Sequence, residues 1–283
     1  MPCLYGKHNK MNINFNGKIL PADQTIFDSQ NRAFLYGDAL FETIRMSAGE
    51  IPFLDNHVNR LLQGLRFFKY KIPKKYTSVF FKKEIKKIAT GNTRIRITIF
   101  RSEGGLYTPK NNRPQFLIST SPLASPYFSL NKKGLHIGVF NYIKLSCDPI
   151  LNFKTCNSLP YILAGINKQE RNLDDLILLN NRNRVSEASS SNIFFIKKNK
   201  IITPSLSEGC IAGTMRKTIL EIATEKKYII QENSIKLSDL KKFEEIWLTN
   251  AISGIKWVAQ IDPDISFHST SHAQKFIESL NQF

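Results

Sequence analysis

A stretch rich in proline and serine, "TSPLASPYFSL" at 120–130, separates two long segments that each carry their own strand and helix patterns. Prolines and clustered small polar residues interrupt regular structure, so the chain is constrained to two folding units with a linker between them. The boundaries this predicts are a smaller N-terminal α+β domain over 11–121, an interdomain linker over 122–130 and a larger C-terminal domain over 131–283. In the first half, "NINFNGKIL" alternates around an Asn16-Gly17 turn and reads as a hairpin. "ALFETIRMSAGEIPFL" reads as two strands around a turn at Ser47–Gly49. "NHVNRLLQGLRFF" has apolar residues at helical spacing, with Asp55 or Asn56 as its cap, and "SVFFKKEIKKIA" is a second helix ending near Gly91. "TRIRITIFRS" and "RPQFLISTS" follow as strands. In the second half, "GLHIGVFNYI", "DLILLN", "SNIFFIKKNKIITP" and "EEIWLTNA" read as strands, while "LPYILAGINKQERN" and "GTMRKTILEIATEKKY" read as helices.

A net charge of +17 raises the question of nucleic acid. The lysines, however, are scattered over many segments, such as "IPKKY", "FFKKEIKKIA" and "IKKNKII", with no arginine-rich tail and no nucleic-acid-binding motif. Solvated lysines on helix and loop faces account for that distribution, with a basic funnel for a small anion as the functional alternative. The hydrophobic content of 42% excludes a disordered chain. No apolar run approaches the roughly 18 residues of a membrane span. The four cysteines have no CxxC spacing, so neither a disulfide framework nor a metal site is expected, and a reducing cytoplasm suits them. "MPCLYGKHNK" lacks the apolar core of a secretory signal, and residues 1–10 read as an extension ahead of Met11.

Lys154 in "NFKTCNSLPYILAGI" raises a sharper question, because an ammonium ahead of an apolar run is costly unless it is paired or neutralised. Three other stretches bear on it. "RVSEASSSNIFFI" places Glu187 and Asn192 at the edge of a strand; "LSEGCIAGTMRKTIL" is a glycine loop feeding a helix; "HVNRLL" puts Arg60 on an otherwise apolar helical face. Amides at the first turn of a helix, those of Thr214 and Met215, favour an anion such as phosphate, and arginine can meet a phosphate with two parallel hydrogen bonds. A lysine, a phosphate anchor and a carboxylate are together what pyridoxal 5'-phosphate requires.

The ordered series "NRAFLYGDALFETIR", "HVNRL", "FKTCNSLPYILA", "RVSEASSSNIFFI", "TPSLSEGCIAGTMR" and "LTNAISGIKWV" resembles the fold-type IV, or class IV aminotransferase, family of pyridoxal-phosphate enzymes. The resemblance runs from about Met11 to the last 20 or so residues. It implies a two-domain α+β / α/β fold of the D-amino acid aminotransferase type, with the cofactor in the cleft between domains. It also implies that Lys154 carries the cofactor and acts in catalysis, and that Glu187 pairs with the ring nitrogen. Arg60, Thr214 and Met215 would hold the phosphate. Asn192 and the "TNA" segment Thr249–Ala251, with Asn250 and Ala251, would complete the cofactor pocket.

Within the family, branched-chain aminotransferases place a tyrosine five residues after the lysine, where this chain has Leu159; Tyr161, two further on, is expected to point elsewhere. Their "GTGTA"-like loop is "LTNAIS" here, and the arginine–histidine pair of D-amino acid aminotransferases is missing from "RIRITIFRSEGG". "GDALFETIR", "KTCNSLPYIL", "FRSEGGLY" and "TNA" are more similar to the aminodeoxychorismate lyases, with Ala39 and Ser102 where those enzymes carry glycine. That resemblance implies a substrate carboxylate site with Arg101, Arg45 or Arg94, and Tyr36, and a carboxylate-holding or proton-transferring role for Thr43. The alternatives are an aminotransferase of unassigned substrate and, outside enzymes, a basic nucleic-acid binder. A homodimer with a small-molecule amino substrate, no nucleic acid and no membrane partner is what the family implies.

Overall fold

Asn16 and Gly17 both have positive φ, +52° and +92°, and that pair of left-handed residues is what a two-residue hairpin turn requires. The turn joins β1 (Asn12–Phe15) to β2 (Lys18–Pro21), as its Asn-Gly signature predicts. The computed structural model describes residues 12–102 and 104–283; the expected extension at 1–10, and Met11 as a domain start, lie outside the described residues. Contacts divide the chain into one unit through Pro126 and a second from Tyr127.

The first unit is built on an antiparallel sheet of order β2-β1-β5-β4-β3, with β3 (Ala39–Met46), β4 (Thr93–Arg101) and β5 (Pro114–Pro122). A short helix α1 (Arg32–Tyr36) is capped by the Asn31 side chain. Helices α2 (Leu54–Phe67) and α3 (Ser78–Lys86) follow, and α2 packs against both β3 and α3. The alternation of β4 places Ile95, Ile97 and Ile99 in the core and turns Arg94, Arg96 and Thr98 to the other face. Three expectations change. Beyond Ser47–Gly49 no second strand forms: Ser47 and Glu50 make one isolated bridge, and Phe53 at φ +60° then turns the chain into α2. Asp55 and Asn56 therefore lie inside the first turn rather than capping it, where Asp55 faces the positive end of the helix. The second helix stops at Lys86, ahead of Gly91.

The second unit is a mixed sheet of order β11-β10-β9-β12-β13-β6-β7-β8. Its strands are β6 (Leu135–Leu145), β7 (Asp175–Asn180), β8 (Val185–Ala188), β9 (Asn192–Lys197), β10 (Lys200–Pro204), β11 (Ile229–Asn233), β12 (Glu245–Asn250), β13 (Gly254–Ile261) and the short β14 (Ile265–Ser266). Helix α4 (Leu159–Glu170) covers β6 and β7, while α5 (Thr214–Glu225) packs on β11 and β12 and α6 (Ser271–Leu280) on β12 and β13. Every residue of β7 and β8 is buried, which is the pattern of strands covered on both faces. Among the described residues, no helix is long and apolar enough to cross a membrane.

Candidate active site

Strand β8 carries Glu187, which is only 2% exposed. A carboxylate is tolerated at such depth when its oxygens are hydrogen-bonded. Tyr161 Oη donates to Oε1 at 2.6 Å, and the Ile211 backbone N–H donates to Oε2 at 3.1 Å. Asn192 Nδ2, at the start of β9, lies 3.4 Å from the same Oε2 and donates to the Ile211 carbonyl at 2.8 Å. Three elements thus meet on one carboxylate: helix α4, strand β9 and the loop that leads into α5. Burial, and then the neighbouring Glu187 charge, push the Tyr161 hydroxyl far above its ordinary pKa, so the phenol keeps its proton and acts as a donor. Tyr161 does not point away, as its spacing from Lys154 suggested, but turns onto Glu187.

The loop after Ile211 reaches α5 through Gly213 as N-cap. A Cβ at Gly213 would lie 1.8 Å from Asn192 Oδ1, so only glycine lets the helix start approach Asn192 this closely. Thr214 and Met215, at the first turn, are buried. Thr249 on β12 is the direct cross-strand partner of Asn192, which puts the two side chains on one face of the sheet. Among the described residues its Oγ1 is buried with no hydrogen-bond partner, a state that costs free energy unless a ligand meets the hydroxyl. A helix start opened by glycine, an orphaned hydroxyl and a buried carboxylate fit a group with an anionic end and a protonated ring nitrogen. Asn250 fastens the adjoining turn: its Oδ1 accepts from Ile252 and Ser253 N–H at 3.0 and 2.8 Å, and its Nδ2 donates to Ser191 Oγ at 3.1 Å. Ala251 lies in that turn.

Lys154 is half-buried between a 3-10 turn at Pro149–Asn152 and the start of α4. The segment that carries it is tied down on both sides. Upstream, Asn152 Nδ2 donates to the carbonyls of Leu206 and Cys210 at 2.9 and 2.8 Å, and its own carbonyl accepts from Ala212 N–H at 2.9 Å. Downstream stands the Tyr161–Glu187 bond. The Cys210 thiol is pushed up to about 12 by burial and by the Glu187 charge, which keeps it an inert packing group.

The first unit holds the remaining predicted residues. Strand β3 alternates, sending Glu42 toward α2 and Thr43 and Arg45 to the opposite face. Arg60 on α2 donates from Nε and Nη2 to the two Glu42 oxygens at 2.8 and 2.5 Å, and His57 Nδ1 lies 2.7 Å from Oε2. Burial would raise the Glu42 pKa, but the Arg60 charge and the His57 contact together outweigh it and hold the carboxyl at about 2. On the other face, Thr43 is the cross-strand partner of Arg96, whose guanidinium stacks 3.8 Å over the Phe41 ring. Arg45 is buried, donating from Nε to Ser47 Oγ at 3.0 Å and from Nη2 to the Ser125 carbonyl. Arg101 donates to Asp38, to the Phe68 carbonyl and, at 2.9 Å, to Asn112 Oδ1, and lies over the Tyr70 ring. Asp38 also takes Arg32 Nε at 2.9 Å, and Arg32 stands 5.0 Å from the Tyr36 ring. Arg101 and Arg45, singled out by sequence for a substrate carboxylate, are thus engaged in internal bonds.

The structure brings Glu187, Asn192, Thr249 and the start of α5 together in the second unit, and Arg60 together with Glu42 and His57 in the first. Sequence reasoning missed Tyr161, Gly213, Glu42, His57 and Arg96. His57 and Arg60 are three apart on one helix, a spacing that places them on one face.

The family described as amino-transferase class IV matches residues 39–261. The chain belongs to that family. Pyridoxal 5'-phosphate is the family's cofactor. The aminodeoxychorismate lyase of Vibrio harveyi is 29% identical over 243 residues, covering 84% of this class IV chain and 88% of the relative. Branched-chain-amino-acid aminotransferase-like protein 2 of Arabidopsis thaliana is 27% identical over 248 residues, covering 85% of this chain but 44% of that longer protein. A crystal structure of the branched-chain aminotransferase of Thermoproteus uzoniensis with norvaline superposes with a TM-score of 0.85 at 22% identity, covering 95% of this chain and 93% of the other, and the fold is therefore the fold-type IV architecture.

Proposed function

We propose that this class IV protein is a pyridoxal-phosphate-dependent lyase that converts 4-amino-4-deoxychorismate to 4-aminobenzoate and pyruvate. The observation that carries the reading is Glu187, a buried carboxylate hydrogen-bonded by Tyr161, Asn192 and the Ile211 amide beside a glycine-opened helix start. The likeness to the Vibrio harveyi lyase over most of that protein's length supports the choice of reaction.

Lys154 would hold the cofactor, and the amides of Thr214 and Met215 with the Thr249 hydroxyl would receive its phosphate, assisted by Asn192, Asn250 and Ala251, which shape the surrounding loops. Arg60 is the proposed cationic partner of that phosphate, its guanidinium oriented by Glu42 and His57. Bound there, the cofactor supplies an electron sink for charge that develops at the substrate's α-carbon. The Glu187 carboxylate keeps a proton on the ring nitrogen. The neutral amine of Lys154 would take the proton from the substrate's α-carbon. Thr43 holds a substrate carboxylate or passes a proton, and Arg96, on its face of the sheet, supplies positive charge there together with Arg94. Tyr36 lines the substrate, whereas Arg101 and Arg45 shape its surroundings from their internal bonds.

An aminotransferase is the second reading, favoured by the likeness to the Arabidopsis protein. Homodimerisation is part of the proposal: Leu159, Ile162, Leu163 and Ile166 form an exposed apolar stripe along α4 that a second copy would cover. A cytoplasmic location fits the reduced thiols of Cys147, Cys156 and Cys210. The test is incubation of the holoenzyme with aminodeoxychorismate, following 4-aminobenzoate by chromatography and pyruvate by a coupled assay, beside a panel of amino donors and 2-oxo acids. Release of both products in equal amounts is expected. Amino transfer that depends on a 2-oxo acid and releases no pyruvate would reverse the assignment.

A further inference from the structure

We infer that Tyr161 is a positioning residue that orients the Glu187 carboxylate toward the cofactor ring and ties it to the lysine-bearing segment. This inference rests on the proposed pairing of Glu187 with the ring nitrogen and adds a residue that pairing alone does not require. The geometry is specific. The Tyr161 ring packs against the cluster of Phe140, Leu145, Ala164, Leu173, Leu176 and Leu178, and Leu178 is the cross-strand partner of Glu187. The ring therefore lies over the strand beside Glu187, and its hydroxyl reaches Oε1 at 2.6 Å. The other oxygen is taken up by Ile211 N–H and Asn192. With each oxygen assigned a different donor, the plane of the carboxylate is fixed, which a single contact would not achieve.

The donor is also suited to its task. Burial and the adjacent negative charge keep the phenol protonated, so Tyr161 gives a hydrogen bond to Glu187 and never competes with it as an anion. Tyr161 stands near the beginning of α4, and Lys154 lies a short distance upstream in the same segment. The same contact that aims the acid thus anchors the downstream end of the stretch that presents the amine.

The test is a double-mutant cycle on cofactor affinity, using apoprotein of the wild type, Tyr161→Phe, Glu187→Gln and the double variant. Each is titrated with pyridoxal 5'-phosphate by quenching of tryptophan fluorescence, and the visible band of the bound cofactor is recorded. Phe retains the ring that fills the cluster and removes only the oxygen, and thermal melting confirms that each variant is folded. Tyr161→Phe is expected to weaken binding by about tenfold, the effect of losing a hydrogen bond to a charged group, and to shift the visible band. In the Glu187→Gln background the same change should alter affinity less than about twofold, because the partner it acts on is gone. An equal loss in both backgrounds, or no loss in either, overturns the inference and leaves the Glu187 assignment standing. Unchanged affinity and spectrum in Glu187→Gln alone would instead overturn the assignment of Glu187 to the ring.

Discussion

Two buried glutamates, one in each unit, are held in opposite ways. Glu42 meets Arg60 and His57 and stays an anion until the pH falls to about 2. Glu187 receives its described bonds from a phenol, a backbone amide and a carboxamide. The first arrangement answers the carboxylate's charge with a cation and fixes that cation's direction. The second fixes the direction of a carboxylate through hydrogen bonds from three different elements. An arginine near a buried acid is therefore a different signal from a tyrosine near one. The former marks a positioned cation, the latter a positioned anion.

The largest effect expected from breaking this comparison is at the amine. Lys154→Ala should lower turnover by roughly a thousandfold, as expected for loss of a general base, and abolish covalent capture of the cofactor on borohydride reduction. Retention of a reducible, protein-bound chromophore would place the cofactor lysine elsewhere.

Acid sensitivity separates the two glutamates next. The folded pKa of Glu42 lies below its ordinary 4.5, at about 2, so between those values the unfolded chain binds more protons than the folded one. Its stabilisation is complete above about pH 4.5 and is lost as pH falls toward 2, an amount of about 3 kcal/mol. Denaturant titrations from pH 2 to 6 should show this slope in the wild type and a shallower one in Glu42→Gln. An identical slope in both proteins would assign the acid transition to other carboxyls.

Gly213→Ala tests how tightly the anion end of the site is built. The added carbon would meet Asn192 Oδ1, and a loss of about 1–3 kcal/mol is expected from overpacking, measured as a lowered unfolding midpoint together with weaker cofactor binding. A variant as stable as the parent would show that the helix start yields freely. The smallest effect is expected at Thr249. Thr249→Val removes a buried hydroxyl that lacks a partner, so stability of the apoprotein should stay level or rise by up to about 1 kcal/mol. Cofactor affinity should nevertheless fall several-fold. Unaltered affinity would remove Thr249 from the phosphate site.

Much of this arrangement was legible in local patterns. The Asn16-Gly17 hairpin and helices α4 and α5 followed from turn chemistry and apolar spacing. Strand β8 did not, because "VSEA" is four residues buried throughout and has no alternation to betray it. Helix α6 offered a signal that went unread: Ala273, Phe276, Ile277 and Leu280 recur at helical intervals. The Glu42–Arg60 pair joins a strand to a helix, and only the packing of α2 on β3 brings its members within reach. Tyr161 was misjudged through helical phase. Leu159, five residues after Lys154, is 70% exposed. Two residues further along a helix is about 200° of rotation, which swings Tyr161 to the inner side.

The closeness of residues 192 and 213 has an evolutionary corollary. A side chain acquired at 213 forces the carboxamide at 192 to move aside or to shorten, since both cannot occupy the same space. Either change releases the Ile211 carbonyl and one tether of Glu187. A bulkier helix entrance therefore comes with a loosened interior, and a change at one of the two positions is expected to be accompanied by a change at the other.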